Sequence, residues 1–302
     1  MSLAFPSSEY VILKDSVTLL QGTDSLNVID RIVSTKISNI INLGRREVLF
    51  CDFNGRICDI GTVFPIFDNF LLVSSSIEGS TTRRSLVDGK SWDENCEVLI
   101  ADDAITRISI FPDDTSELLS KFDIECPNLV DNEIFEVDNI LISHYVSSNE
   151  YMVDILVPPD SISKVTSILS ELGYVEIDSE RWGFVRIMLG LPTISDAKGN
   201  LPEEMGMDKL VSNDKGCYPG QEVHARIESR GRTVKSFCRL IGKSPILVGK
   251  YQVPEIGSIK VTSSTFIDGT CHALALVKLT NNELGKIHIN GHDYSVDTIT
   301  YP

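Results

Sequence analysis

The 302-residue chain lacks three features: a cysteine framework, an excess of positive charge and a long apolar run. The chain has seven cysteines, an odd number, and none of them form a Cys-x-x-Cys pair. This pattern does not suggest a disulfide framework, so we expect reduced thiols and a cytoplasmic location. No apolar run approaches the roughly 18 residues of a membrane span. The first residues also lack a basic region followed by an apolar stretch. We therefore expect neither a membrane partner nor a secretory signal.

The charge balance excludes some classes of partner. Acidic residues number 43 and basic residues 27, which gives a net charge of −16. A surface of this sign repels phosphate backbones and anionic lipid, so we expect no nucleic-acid partner. An anionic ligand would require a local reversal of sign.

Recognisable cofactor motifs are also missing. Gly89-Lys90-Ser91 and Gly242-Lys243-Ser244 resemble the end of a phosphate-binding loop, but neither follows the required first glycine. His288 and His292 flank Asn290-Gly291, which indicates a hairpin turn and no metal site. No four-cysteine pattern is present, so the chain has no local motif for an iron–sulfur cluster.

What is present is typical of a globular α+β protein. Hydrophobic residues make up 42% and charged residues 23% of the chain, and its length suggests about two domains. Helical and hairpin patterns alternate through residues 1–230, whereas residues 231–302 contain short β-rich runs divided by turns. We expect the second part to form a β-barrel.

Three local predictions can be compared with a structure. An apolar stripe from Leu26 to Ile40 predicts one amphipathic helix. Asn54-Gly55 predicts a two-residue hairpin turn between strands at 47–53 and 57–64. The pattern of residues 134–146 predicts one continuous strand.

The segment from Lys215 to Arg226 carries the clearest chemical signal. Pro219-Gly220 suits the centre of a type II turn, and a thiol such as that of Cys217 in a tight turn is normally exposed. Positive neighbours favour a reactive thiolate. The alternating residues after the turn predict a strand with Glu222, His224 and Arg226 on one face.

This region also supplies the local reversal of sign. Between residues 214 and 239 lie six Lys or Arg side chains and three acids. Arginines can hold carboxylate or phosphate through two parallel hydrogen bonds, so Arg226 and Arg232 are candidates for an anion site. The alternatives are a solvated strand face and an incidental cysteine.

The motif Lys-Gly-Cys-Tyr-x-Gly-Gln-Glu at 215–222 resembles the signature of the YgfZ family of tetrahydrofolate-binding proteins. These are relatives of the glycine-cleavage T protein that support iron–sulfur enzymes. Further segments resemble family motifs in the same order: Leu20-Gln21-Gly22-Thr23-Asp24, Asn54-Gly55-Arg56-Ile57, Trp182 with Arg186-Ile187, Gly190 and Pro192, and Gly257 with Ile259 and Thr262-Ser263.

The resemblance implies a T-protein-like fold, in which two interleaved α+β lobes surround a central channel and precede a C-terminal β-barrel. It also implies a folate in the channel and a functional thiol at Cys217, with iron–sulfur client or assembly proteins as partners. The residues implied to contact the cofactor are Lys215, Tyr218, Gln221, Glu222, Arg226, Arg186, Asn54 and Arg232. The implied function is that of an accessory factor for assembly or repair of iron–sulfur enzymes.

Two departures from the family pattern affect the expected chemistry. Cys58 occupies the position of the catalytic aspartate of the aminomethyltransferases, and a thiol of ordinary pKa does not replace an ionised carboxylate. Met188 replaces a glutamate that would face the donor edge of the pterin. The alternatives are an active folate-dependent aminomethyltransferase or demethylase, and a folate-free binding module.

Overall fold

The computed structural model describes residues 8–40, 44–75, 79–112, 114–125, 132–147, 150–231, 233–254, 256–278 and 285–301. The fold is α+β, as the sequence predicts. The strands are β1 (Glu9–Leu13), β2 (Ser16–Gln21), β3 (Arg46–Cys51), β4 (Ile57–Ile66), β5 (Asn69–Ser74), β6 (Glu97–Ile100), β7 (Thr106–Phe111), β8 (Ile134–Val137), β9 (Ile140–Ser147), β10 (Glu150–Val157), β11 (Val175–Glu176), β12 (Lys235–Gly242), β13 (Gly249–Val253), β14 (Gly257–Ile267), β15 (Thr270–Lys278), β16 (Lys286–Ile289) and β17 (His292–Thr298).

The helices are fewer than the strands in the described residues. They are α1 (Ser25–Ile32), α2 (Ser80–Gly89), α3 (Thr115–Ser120), α4 (Ile162–Glu171), α5 (Ser179–Leu189), α6 (Ile194–Ala197) and α7 (Gln221–Arg230). Three short 3₁₀ helices lie at Pro159–Ser161, Pro202–Met205 and Asp208–Leu210. In the part of the chain that the structure describes, no helix has both the length and the apolar character needed to cross a membrane.

Two sheets form the part of the molecule before β12. The first sheet has the strand order β3-β4-β5-β2-β6, and the second has the order β11-β1-β7-β10-β9-β8. They are interleaved along the chain, because β1 lies in the second sheet and β2 already lies in the first. Apolar residues of both sheets, including Phe64, Leu71, Leu141 and Leu156, pack in one buried cluster. This packing fixes the two sheets against each other.

The third sheet comprises β12 to β17 in the order β13-β14-β15-β12-β17-β16. It curls into a half-barrel, and its outer strands β13 and β16 approach each other. Consecutive residues along β15 are buried, so both faces of this strand are covered. One face contributes Leu274 and Leu276 to a cluster with Leu49 and Ile187 of the preceding region. The half-barrel is therefore joined to the rest by a shared core.

Two of the local predictions are wrong in extent. Helix α1 ends at Ile32, and Val33 is extended and pairs with Phe50. Ile37 and Ile40 continue the apolar stripe in the sequence because they pack in the same core as α1, although they are not helical. Residues 134–146 form β8 and β9 instead of one strand, because Asp138 and Asn139 have φ angles of 50° and 64° and make a turn.

The predicted hairpin is present, but its turn is longer than two residues. Cys51 pairs with Ile57, which leaves residues 52–56 as the loop. The Asp52 carboxylate accepts hydrogen bonds from the backbone N–H groups of Asn54 and Arg56 at 2.8 and 2.9 Å. The Asp52 side chain therefore stabilises the loop through hydrogen bonds to its backbone. Gly55 adopts the positive φ of 72° that the turn requires.

The predicted strand after the Pro219-Gly220 turn is wrong, because residues Gln221–Arg230 form helix α7. Gly220 and Gly231 flank the helix with φ angles of 85° and 66°. Gln, Glu, Ala and Arg all favour a helix, and the spacing of Glu222 and Arg226 is that of an i,i+4 ion pair. The two flanking glycines and these propensities were the signal that the alternating pattern obscured.

Candidate functional site

A cavity of about 670 Å³ is lined by residues of the first two sheets, of α5 and of the segment around α6. Among the described residues, four basic side chains line it, namely Arg45, Arg107, Arg186 and Lys198. Two acidic side chains, Asp15 and Glu47, also line it. In a chain of net charge −16, the described residues that line the cavity thus carry more positive than negative charge, although Asp154 and Asp196 lie behind the wall and pair with Arg107 and Arg186. A cavity of this size and charge suits an anionic small molecule.

Most of these residues are not recognisable from the sequence. Of the four basic residues, Arg186 alone belongs to a recognisable motif, because Arg45, Arg107 and Lys198 lie in separate segments. One signal is present in the sequence: Arg107 lies in strand β7 directly before the residues from Ile108 onward, which are buried. A cation placed in such a strand needs a partner or a ligand.

Arg45 belongs to the buried wall of the cavity and is 3% exposed. Its guanidinium stacks on the ring of Tyr145, 3.7 Å from the ring centroid. Nη2 donates a hydrogen bond to Oε1 of Glu47 at 2.9 Å. The Nε and Nη1 groups have no hydrogen-bond partner, and Nη1 lies 4.0 Å from the Asp154 carboxylate. Arg45 is thus charge-compensated, but two of its donors lack acceptors.

Arg107 extends this charged cluster. Its Nε and Nη2 groups donate to the two carboxylate oxygens of Asp15 at 2.6 and 3.0 Å, which is a bidentate pair. Nη1 lies 3.5 Å from Oδ2 of Asp154, and Ser109 donates to Oδ1 of the same carboxylate at 2.5 Å. Burial raises the pKa of Tyr145, and the Asp154 carboxylate adds to this effect. The Tyr145 phenol is therefore neutral at physiological pH.

Arg186 lines the cavity from the last turn of α5, and most of its donors are already used. Nη1 donates to Asp196 at 2.9 Å, and Nη2 donates to the hydroxyl of Ser263 at 2.6 Å. Burial acts to raise the pKa of Asp196, but Arg186 and neighbouring hydroxyl donors outweigh it and lower that pKa. Arg186 therefore connects α5, α6 and β14, and its predicted contact with a cofactor stays a prediction.

Cys217 is exposed, as the sequence predicts. It lies in the loop before α7, and that loop packs against the hairpin loop 52–56. A Cβ atom on Gly220 would lie 2.5 Å from the Cα of Gly55 and 2.7 Å from the carbonyl oxygen of Asp52. None of residues 215–226, all of which are described, lines the cavity. The thiol is therefore presented at the surface, away from the cavity walls.

Lys215 occupies a different environment from that expected of an anion ligand. Its side chain is 1% exposed. The ammonium donates to the backbone carbonyls of Asp30, Val33 and Thr35, at the end of α1 and in the segment after it. Burial lowers the pKa of Lys215, and the Asp30 carboxylate opposes this shift. All three donors are used within the protein, so the ammonium fixes the Cys217 loop to α1.

Tyr218 and His224 lie behind the Cys217 loop. Both are buried, and their rings stack with centroids 6.2 Å apart. Nδ1 of His224 lies 2.7 Å from Oε1 of Glu203. Burial raises the pKa of Tyr218 to about 12, with further contributions from Cys51 and Glu203. The hydroxyl of Tyr218 is buried and the residue does not line the cavity, so Tyr218 supports the Cys217 loop.

The other predicted contact residues do not meet in one place. Glu222 and Arg226 are exposed, with an ion-pair distance of 3.7 Å on the surface of α7. Gln221 is the first residue of that helix and is half-buried, and Asn54 is exposed in the hairpin loop. Arg232 lies outside the described residues. The predicted anion site at Arg226 and Arg232 therefore stays a prediction, whereas the cavity holds the cluster of cations.

The position of Cys58 bears on catalysis. Its thiol is half-buried, and burial raises its pKa, with Asp52 contributing. The thiol is therefore protonated at neutral pH. The neighbouring Asp59 is fully buried and accepts hydrogen bonds from the Thr82 hydroxyl and from the backbone N–H of Ile60. Neither side chain lines the cavity. Met188 is half-buried and packs with Trp182 and Leu191 in an apolar cluster.

Comparison with known sequences confirms the relationship to the YgfZ proteins. The chain is 23% identical over 304 residues to the tRNA-modifying protein YgfZ of Pectobacterium carotovorum subsp. carotovorum, a match that covers 94% of this chain and 84% of that protein. It is 24% identical over 290 residues to the protein of the same name from Buchnera aphidicola subsp. Acyrthosiphon pisum, covering 92% and 87%. A match of 35% identity to the Hamiltonella defensa protein spans 127 residues, 40% of this chain and 36% of that protein. No protein-family model matches the chain.

Comparison with solved structures confirms the fold. The crystal structure of glycine cleavage system aminomethyltransferase T from Bartonella henselae matches with a TM-score of 0.81 at 13% sequence identity. The match covers 97% of this chain and 86% of that structure. At this level of identity the likeness establishes the T-protein-like architecture and leaves the activity of this chain to other arguments.

Proposed function

We propose that this YgfZ-like chain binds a reduced folate in its central cavity and acts as an accessory factor for iron–sulfur enzymes. The observation that carries the proposal is the cavity, with four basic and two acidic side chains in a chain of net charge −16. Its volume of about 670 Å³ lies within the usual range for small-molecule sites. A folate combines a planar heterocycle with glutamyl carboxylates, and the cavity offers aromatic walls and cations.

The chain's own residues support binding more than catalysis. The Cys58 thiol is protonated at neutral pH and lies outside the cavity wall, so it is not a general base for one-carbon transfer. The carboxylates that line the cavity, Asp15 and Glu47, are each hydrogen-bonded to an arginine. Tyr145 and Trp182 give the cavity aromatic surface against which a planar ring can pack.

The names of the similar YgfZ proteins suggest a role in tRNA modification. Direct binding of tRNA is disfavoured, because a net charge of −16 repels a phosphate backbone. An accessory factor that supports a tRNA-modifying enzyme does not need to bind tRNA itself. We therefore propose that the chain acts on such an enzyme and that the exposed loop around Cys217 is the surface that contacts protein partners.

Titration calorimetry with tetrahydrofolate under anaerobic conditions tests ligand binding. We expect saturable binding at micromolar to submillimolar ligand, since the cavity is largely preformed. Arg107→Met should weaken it, because the variant removes one of the cavity cations; Arg31→Met, on the exposed surface, is the control. An absence of heat at millimolar ligand would favour a folate-free binding module.

A turnover assay separates the accessory factor from the alternative transferase or demethylase. The protein is incubated with tetrahydrofolate and candidate methylamines, and the folate products are analysed. We expect neither methylene- nor methyl-tetrahydrofolate, because the two carboxylates among the described residues that line the cavity are each paired with an arginine, and the Cys58 thiol is protonated. Formation of either product at a rate that depends on Asp15 or Glu47 would establish the alternative function.

A third prediction concerns the exposed thiol. Cys217→Ala should leave the free energy of unfolding and folate binding unchanged, because the side chain is exposed and outside the cavity. We expect the same variant to lower the activity of iron–sulfur enzymes in a strain that depends on this protein. Cys58→Ala is the matched control and should retain that activity. Equal iron–sulfur enzyme activity in the two strains would contradict a role for Cys217.

A further inference from the structure

The cavity has a buried wall and an open rim. Arg45, Ser109, Tyr145 and Tyr301 line it and are each less than one tenth exposed. They form one contiguous cluster through Glu47 and Asp154. Lys198, in contrast, is an exposed residue of the same cavity. An elongated ligand would therefore place one end against the arginine cluster and the other near the lysine.

The buried wall is short of hydrogen-bond acceptors at Arg45. Its Nε and Nη1 groups are buried without a partner. Nη1 lies 4.0 Å from a carboxylate oxygen of Asp154, which is too far for a hydrogen bond. Buried guanidinium donors are normally paired, so an acceptor is missing from this wall. A carbonyl oxygen on a bound ligand would supply it.

The same wall has spare acceptor capacity at Glu47. This carboxylate accepts from Nη2 of Arg45 and is hydrogen-bonded by Tyr301. An ionised carboxylate has about four lone-pair sites, so two bonds leave room for more. Glu47 lines the cavity and is a quarter exposed, which leaves it open to a ligand. A donor side chain and an acceptor side chain thus lie side by side.

We infer that Arg45 and Glu47 recognise the 2-amino-4-oxopyrimidine edge of the ligand's heterocycle. On that edge a carbonyl oxygen lies next to a ring N–H and an exocyclic amino group. Arg45 would donate to the carbonyl, and Glu47 would accept from the two N–H donors. The glutamyl carboxylates would then extend towards Lys198 at the rim. This inference rests on the proposed folate ligand, and it assigns recognition to β3 and the residue before it instead of the position of Met188.

The test uses three probes and the full-length chain. The probes are 5-formyltetrahydrofolate, p-aminobenzoylglutamate, which has the tail without the heterocycle, and pterin, which has the heterocycle alone. Glu47→Gln keeps the side-chain shape and removes the charge, so we expect a loss of about tenfold or more in affinity for the first and third probes. Affinity for p-aminobenzoylglutamate should stay within about twofold. Glu97→Gln, on the exposed edge strand β6, is the matched control.

Arg45→Lys is the second variant, because it keeps the positive charge and removes the planar fork. Circular dichroism verifies that each variant is folded. If the wild-type chain binds none of the probes, the proposed function fails. If it binds 5-formyltetrahydrofolate and both variants bind it equally well, the proposed function stands and this inference is wrong. An equal loss for the folate and for p-aminobenzoylglutamate would also overturn the inference.

Discussion

At the scale of single residues, Lys215 shows how a charge can have a structural role that its neighbours in sequence do not reveal. Its position two residues before Cys217 suggested a contact with an anion. In the structure its ammonium is buried and binds three carbonyls at and beyond the end of α1. A cation at this place also matches the negative end of the helix dipole. The residue holds the thiol-bearing loop in place.

We predict that Lys215→Met lowers the free energy of unfolding by about 2 kcal/mol, because three buried carbonyls lose a charged donor. Lys36→Met is the matched control. Lys36 forms an exposed ion pair with Asp214 in the same region, and such pairs contribute less than about 1 kcal/mol. Urea denaturation measures both variants. Equal destabilisation by the two substitutions would show that the buried ammonium has no special role.

At the scale of secondary-structure elements, the contact between α7 and the hairpin loop 52–56 determines where Cys217 lies. Gly220 has a φ of 85° and lies directly against Gly55. The two segments, more than 160 residues apart in sequence, approach this closely because neither residue has a side chain. The glycines of the motif are therefore explained by packing as well as by the turn.

Gly220→Ala should destabilise the protein by about 2 kcal/mol or more, because an L-residue is strained at this φ and its Cβ would overlap the hairpin backbone. Gly216→Ala tests the same loop without this contact, since nothing lies within 4 Å of its Cβ position. We expect that variant to change stability by less than about 1 kcal/mol. Thermal unfolding followed by circular dichroism distinguishes them. Similar melting temperatures would mean that the α7–hairpin contact contributes little.

At the scale of the whole molecule, one hydrophobic cluster joins the half-barrel to the preceding region. Phe237, Leu274 and Leu276 of the third sheet pack with Leu49 and Met205. The C-terminal segment strengthens this connection, because the backbone N–H of Tyr301 donates to the carbonyl of Gly206 at 3.0 Å. We therefore expect the two regions to unfold together.

Phe237→Ala should lower the free energy of unfolding by about 3–5 kcal/mol, as expected for a fully buried aromatic side chain. Phe53→Ala is the control, because Phe53 is 87% exposed in the hairpin loop. Both tryptophans lie before residue 231, so tryptophan fluorescence reports on the unfolding of that region, whereas far-UV circular dichroism reports on the whole chain. The unfolding transitions measured by these two signals should shift together in the Phe237 variant. Separate transitions would show that the half-barrel unfolds independently.

The sequence by itself determined the features that depend on neighbouring residues. These are the α+β class, the hairpin near Asn54-Gly55, the turn at Asn290-Gly291 and the exposed loop of Cys217. Each follows from local conformational preferences or from hydrophobic periodicity, which a one-dimensional pattern records. The family resemblance likewise came from a motif of eight consecutive residues.

Tertiary structure alone decided which charges meet. Arg45, Arg107 and Arg186 come from segments more than 60 residues apart, and they line one cavity because the two sheets and α5 pack around it. The cations close to Cys217 in sequence have other roles: Lys215 is buried under the loop and Arg226 lies on the surface of α7. An electrostatic site depends on distances across the fold and on the removal of water, and neither quantity is contained in the spacing of residues along the chain.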